Sequence, residues 1–229
     1  MKMTVRDTAK LLSVSEKTIY RWIKERDIPA YRVGEQYRFN RLEVLEWATS
    51  RKVAVAQDVA LSEEEGETNL PSLVQALQNG GVFYRVGGHD RASALKGVVE
   101  CLRLPPGTNS DSFLRILLAR EELASTGVGD GIAIPHVRTP VILHIDVPQL
   151  ALCFLEQPVE FGALDGKPVY ALFTLICPTT KSHLHLLSRL AFALQNPEFK
   201  GAVRAQAMRD ELLAQAARAE SKLAGGSVS

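Results

Sequence analysis

Cysteine is scarce in this chain. Only Cys101, Cys153 and Cys177 occur, far apart and among apolar neighbours. A scattered, odd-numbered set excludes a disulfide framework and offers no paired thiols for a zinc site. It reads as reduced, buried thiols in a cytosolic chain. Long apolar runs are also missing. The most apolar stretch type, YALFTLIC at 170–177, falls far short of the roughly 20 residues that span a bilayer. The N-terminal MKMTVRDTAK has no apolar centre, so it is not a signal peptide. Internal repeats are absent, and so is low-complexity sequence apart from an Ala-rich end. The glycine-rich stretch STGVGDGIAIPH (125–136) lacks the Gly-Lys-Ser/Thr of a P-loop and the Gly-x-Gly-x-x-Gly spacing of a dinucleotide fingerprint.

Net charge is nearly absent too, at +1, but it conceals an asymmetry. Residues 1–52 hold 12 Lys and Arg against 7 Asp and Glu, whereas the remainder holds 15 against 19. A small basic head on a mildly acidic body implies two modules with different partners. The composition shifts after Lys52, and 53–69, with its acidic SEEEGE run, reads as a solvated linker. The expected organisation is a head over 1–52, a linker over 53–69 and a body over 70–222.

In the head, Thr4 and Asp7 have the spacing of a capping box, and Val5, Ala9 and Leu12 share a helical face. Ser13-Val14 breaks that helix. Ser15 caps a second one, with Ile19 and Ile23 inward and Trp22 beside them, and Pro29 ends the unit. AYRVGEQYRFN (30–40) alternates around Gly34-Glu35 as a hairpin. A closing helix spans 41–50 with Leu42, Leu45 and Trp47 inward. The plan is a small winged helix-turn-helix. In the body, Asp90 caps a helix burying Leu95, Val98, Val99 and Leu102. Asp111 caps the next, with Phe113, Ile116, Leu117 and Leu118 on its apolar side. QLALCFLE (149–156) and VYALFTLIC (169–177) are apolar, β-rich runs, hence buried strands. A helix opens at Pro178-Thr179-Thr180, with Leu184, Leu187, Ala191 and Leu194 at helical spacing, and a last helix spans 202–220. Strands alternating with helices give an α/β fold.

A helix fits the major groove of DNA and reads base edges with side chains near its N-terminus. In this head those are Ser15, Lys17, Thr18, Tyr20 and Arg21, with Lys24 nearer a phosphate. Arg32 and Arg38 on the hairpin suit the backbone or minor groove. Residues 4–47, above all VSEKTIYRWIKERDIPAYRVG, resemble the excisionase-type DNA-binding domain, a relative of the MerR winged helix. That resemblance implies sequence-specific binding of double-stranded DNA. One such domain makes few base contacts, so tight binding calls for a homodimer or repeated sites.

The glycine stretch poses a separate question, because it ends on His136. Glycines let backbone N–H groups converge on an anion, phosphate above all. Thr126, Gly127, Gly129 and Gly131 are the candidates for such a loop. Pro135 holds Ile134 extended and stiffens the approach to His136. KSHLHLL places His183 and His185 near a helix start. Residues two apart do not share a helical face, so only one of them can face His136. Arg120 sits at a helix end six residues before Thr126. Two imidazoles and a guanidinium beside an anion nest suit a phosphoryl group.

REELASTGVGDGIAIPH, LEQPVEFGALDGKPVYALFTLICP and TKSHLHLLSRLA together resemble the enzyme IIA component of the bacterial phosphotransferase system, in its fructose–mannitol and nitrogen-regulatory branch. The likeness covers about 70–220 and implies a mixed sheet flanked by helices. It implies that His136 is phosphorylated on Nε2 by a phosphohistidine of an HPr-type carrier protein. By position, His183 matches the family's second active-site histidine and Arg120 its arginine. Thr126 and the glycines match the loop around the phosphate, and His185 becomes a structural partner. No cofactor is implied. One departure is Val137, where the nitrogen branch usually has glycine, which predicts a bulkier rim. Arg138 keeps a positive charge nearby.

His89 and His144 read as surface or loop residues, and Asp165-Gly166 as a tight turn. A zinc site on His136, His183 and His185 lacks a carboxylate or Cys at matching spacing. The resulting expectation is a cytoplasmic, DNA-binding regulator whose phosphorylation state controls transcription, with no membrane insertion. The alternatives are a phosphocarrier that passes its phosphate to a IIB partner in sugar transport, and an interaction module that regulates kinases or transporters.

Overall fold

The computed structural model describes residues 2–51, 53, 55, 70–137 and 145–225. The expected linker falls outside these apart from Val53 and Val55, as do Arg138, His144 and the side chain of Leu42. Helix α1 (Val5–Leu11) starts on the Thr4–Asp7 capping box. The hydrogen bonds from Thr4 hold the Asp7 carboxyl below its usual range. Ser13 at φ 52° makes the break, and Ser15 then caps α2 (Glu16–Lys24). Strands β2 (Tyr31–Val33) and β3 (Gln36–Asn40) form the expected hairpin about Gly34. A short strand that the sequence did not announce, β1 (Lys2–Met3), pairs with the other edge of β3. Helix α3 (Arg41–Ser50) buries Val44, Leu45 and Ala48. The rings of Trp22 and Trp47 meet edge-on with centroids 5.0 Å apart.

The body holds a mixed five-stranded sheet in the order β4-β7-β8-β6-β5: β4 (Val82–Val86), β5 (Gly127–Gly129), β6 (Ile132–Ala133), β7 (Gln149–Val159) and β8 (Val169–Ile176). Strands β7 and β8 pair antiparallel at its centre, with β4 parallel to β7 and β6 parallel to β8. Among the described residues six helices flank it: α4 (Leu73–Gly80), α5 (Arg91–Cys101), α6 (Ser110–Leu123), α7 (Thr180–Ala193), α8 (Pro197–Arg204) and α9 (Arg209–Gly225). Side chains alternate across a strand. Leu150, Leu152 and Phe154 therefore join one core with α4, α7, α8 and α9, while Ala151, Cys153 and Leu155 face α5 and α6. Both faces are covered, which is why β7 and β8 read as continuous apolar runs.

Several expectations are corrected in detail. Asn109 caps α6, accepting from Ser112 N at 2.8 Å, and Asp111 does not. The run TNSD offers four residues able to cap, and local sequence does not rank them. Ile116 is exposed. The single last helix is two, interrupted where Gln206 takes φ 48°. The last helix is fastened by Glu220, which accepts from Leu73 N at 2.7 Å and Val74 N at 3.3 Å and pairs with Arg189 at 3.0 Å. An acidic group at those first-turn amides also suits the dipole of α4.

The head does not stand apart. Its apolar core and that of the body form one contiguous cluster, and α3 packs against α7 and β5. This docking brings a side chain of the head into the site described next.

Candidate functional site

His136 follows β6 on an extended segment bridged to Leu175 of β8 and is 2% exposed. Its Nδ1 lies 2.6 Å from the carbonyl oxygen of Ile134. A carbonyl only accepts, so Nδ1 carries the proton and donates it. That fixes the ring and leaves Nε2 as the reactive edge. Val137 does not enlarge the rim as expected. It is buried in an apolar cluster with Phe113 and Ile176, because neighbouring residues on extended backbone point to opposite sides.

His183 comes from the first turn of α7, whose start is set by the capping box of Thr179 and Ser182 directly after β8. Its ring lies with its centroid 5.2 Å from that of His136. Burial, and then the neighbouring His136, lower its pKa to about 3, with the Glu46 carboxylate acting the other way. His183 is therefore a neutral imidazole, and its buried Nε2 has no hydrogen-bond partner. His185 turns away, and its Nε2 donates to the Pro71 carbonyl at 3.1 Å. The two-residue spacing separates these histidines, as a helix requires.

The His183 shift has a measurable consequence. Unfolded, this histidine binds a proton near pH 6.5; folded, it resists until about pH 3. Above pH 6.5 neither state is charged and nothing changes. As pH falls through that window the unfolded state gains the proton, so stability drops. His183→Gln should therefore lose less stability than the wild type between pH 7 and pH 4, by about 3 kcal/mol at most, as read from urea unfolding at the two pH values.

Arg120 ends α6 and is 7% exposed. One amino group of its guanidinium donates to the Ala124 carbonyl at 2.8 Å, closing the helix end. The other donates to Oε2 of Glu46 at 2.7 Å. Oε1 of the same carboxylate lies 2.7 Å from Nε2 of His136. Glu46 belongs to α3 of the head, 74 and 90 residues from its two partners. Beside these groups is a cavity of about 30 Å³, lined by Glu46, Arg120, Thr126 and His136 among others. Arg120, His136 and His183 do come together, but around a carboxylate that sequence reasoning missed. No local signal marks Glu46, since its partners lie in another module.

The glycine segment differs from the expected amide nest. It forms the β5–β6 hairpin, and the donors of Thr126, Gly127 and Asp130 are committed within the protein. Thr126 donates from its backbone N to Glu121 Oε1 at 2.9 Å and from its hydroxyl to Glu121 Oε2 at 2.6 Å. Gly127 N donates to the Ser125 hydroxyl, and Asp130 N to Asp165 of the facing turn at 2.8 Å. The glycines are demanded by crowding and by turn geometry. A Cβ at Gly127 would stand 2.7 Å from that of Ala163. At Gly131, with φ 76°, it would stand 2.4 Å from the Tyr170 ring. Of the four loop candidates Thr126 alone lines the cavity, together with its neighbours Ser125 and Val128. The buried Glu121 behind it was not anticipated either.

On the head, Lys17, Tyr20, Arg21 and Lys24 are exposed along α2. Ser15 and Thr18 are partly used by the cap, where Ser15 accepts from Thr18 N at 3.2 Å. Arg32 is exposed on the hairpin, and Arg38 is half-buried with its guanidinium on Gln36 and Tyr37. His89 is exposed. No described helix is long and apolar enough to cross a membrane.

Comparison with known proteins places both modules. Residues 75–217 match the family described as phosphoenolpyruvate-dependent sugar phosphotransferase system, EIIA 2, and residues 3–52 match a helix-turn-helix domain. A nitrogen regulatory protein of Pseudomonas aeruginosa is 36% identical over 135 residues, spanning 58% of this chain and 86% of that protein. A fructose-specific EIIA component of Haloferax volcanii is 36% identical over 92 residues, spanning 39% of this chain and 58% of that protein. The crystal structure of nitrogen regulatory protein IIA-Ntr from Neisseria meningitidis superposes with a TM-score of 0.52 at 28% identity, covering 59% of this chain and 92% of that one.

Proposed function

Since this chain belongs to the EIIA 2 family of the phosphoenolpyruvate-dependent sugar phosphotransferase system and carries a helix-turn-helix domain ahead of that module, we propose that it is a DNA-binding regulator whose body is phosphorylated on His136. The donor is a phosphohistidine on an HPr-type carrier, and the state of the phosphotransferase cascade thereby reaches transcription. The observation that carries this reading is the presentation of His136. Its Nδ1–H is pinned by Ile134, and its Nε2 faces the pocket that Arg120 and Thr126 line.

The chemistry follows from that geometry. The lone pair of Nε2 attacks the phosphorus of the donor. The donor's N–P bond breaks, and its electron pair returns to the donor imidazole as the new N–P bond forms on His136. The Nδ1–H bond to Ile134 keeps the ring aligned and spreads the positive charge that develops on it. Arg120 supplies a guanidinium fork matched to phosphoryl oxygens. His183, held neutral, packs beside the ring without adding a competing positive charge. The exposed Lys17, Tyr20, Arg21 and Lys24 of α2, with Arg32 of the hairpin, contact double-stranded DNA, and the head acts in pairs or on repeated sites.

Incubating the full chain with phosphoenolpyruvate and the purified carrier cascade should place an acid-labile phosphate on the wild type and none on His136→Ala. Absence of label on the wild type, or equal label on the variant, would refute the phosphocarrier half. For the DNA half, affinity should fall steeply with salt. Lys17→Ala combined with Arg21→Ala should reduce that slope.

A further inference from the structure

The reactive edge of His136 is already taken. Its Nδ1 faces a carbonyl and its Nε2 faces a carboxylate oxygen, both within hydrogen-bond distance. Neither acceptor brings a proton when Glu46 is ionised, so a second proton must sit between Nε2 and Oε1. Whichever atom holds it, the Nε2 lone pair is not available for attack. The carboxylate's other oxygen is bound by Arg120 at 2.7 Å, the group a phosphoryl oxygen would use. The Glu46 side chain is only 12% exposed. The space left over, about 30 Å³, is room for about two water molecules, whereas a phosphoryl group brings a phosphorus and three oxygens.

We propose that Glu46 is an intramolecular ligand of the phosphoryl-acceptor pocket, and that its carboxylate and the phosphoryl group compete for His136 and Arg120. The proposal rests on the reading of His136 as the acceptor and names the partner of that site: the head of the same chain. With Glu46 seated, α3 is held against α7 and β5, and phosphorylation is blocked. For His136 to accept a phosphoryl group, Glu46 must leave. Once the group is in place, its nearly two negative charges occupy the guanidinium and repel the carboxylate, so the head stays undocked. The exchange is reciprocal: whatever holds the head docked lowers phosphoryl acceptance by the same factor that phosphorylation weakens docking. The docked head still presents Lys17, Tyr20 and Arg21 to solvent. The contact therefore sets how the head is held on the body and does not cover the DNA-reading helix.

The test compares phosphoryl acceptance by the full-length wild type, Glu46→Gln, and Glu35→Gln as an acidic control at the exposed hairpin tip. The neutral isostere should accept on the order of tenfold faster, because only the undocked fraction of the wild type is competent, and the control should match the wild type. X-ray scattering and hydrogen exchange over 41–50 on phosphorylated and unphosphorylated wild type give a second reading. Phosphorylation should expand the chain and raise exchange in that helix. If the wild type is labelled but Glu46→Gln is no faster, or if label leaves scattering and exchange unchanged, the competition is refuted while the phosphocarrier reading stands. If neither protein takes label, both fall together.

Discussion

Arg120→Met is expected to destabilise the chain by about 3 kcal/mol, the usual cost of removing one partner of a buried ion pair. The variant strips Glu46 of its guanidinium while the carboxylate stays largely out of water. It also removes the donor to the Ala124 carbonyl at the end of α6. The double variant Arg120→Met with Glu46→Met should recover most of the loss, since no unpaired charge then remains and two flexible apolar side chains fill the gap. Denaturant midpoints of the two single variants, the double variant and the wild type complete the cycle. Strictly additive losses would mean that the pair contributes nothing as a pair.

Glu121→Ala should have a comparable effect, about 2–4 kcal/mol, by a different route. Glu121 is 2% exposed and accepts two hydrogen bonds from Thr126, one from the amide and one from the hydroxyl. Truncation leaves both donors buried and unsatisfied and removes the brace that sets the start of the β5–β6 hairpin. Phosphoryl acceptance by His136 should fall with it, because that hairpin leads directly into Ile134 and His136. Hydrogen exchange over 125–134 should rise in the variant. Glu121→Gln, which retains one acceptor oxygen for the amide, should lose roughly half as much. Full stability in Glu121→Ala would mean that the hairpin is held by its strand pairing alone.

These effects depend on residues of unequal visibility in the sequence. The histidine pair was legible because helical geometry is local: His183 and His185 cannot share a face, and the structure gives one to His136 and the other to Pro71. The two long strands were legible because central strands covered on both faces must be apolar at every position. The short edge strand β4 and helix α4 were not, since neither carries enough periodic positions to stand out from loop. The glycine segment was read as a nest because glycine permits one. In the fold its glycines answer to Ala163 and Tyr170, partners more than thirty residues downstream.

Local sequence by itself determined most of the helices, the caps at Thr4, Ser15 and Asp90, the central strands, and the identity of the candidate acceptor and its arginine. Capping, periodicity and residue chemistry act within a few residues, so they can be read along the chain. Only the tertiary structure decided which group meets Nε2 of His136. Glu46 looks like any acidic residue on a solvated helix. It becomes the ligand of a buried guanidinium and imidazole only because α3 docks on α7 and β5, and that docking is fixed by long-range apolar packing, which no short stretch of sequence encodes.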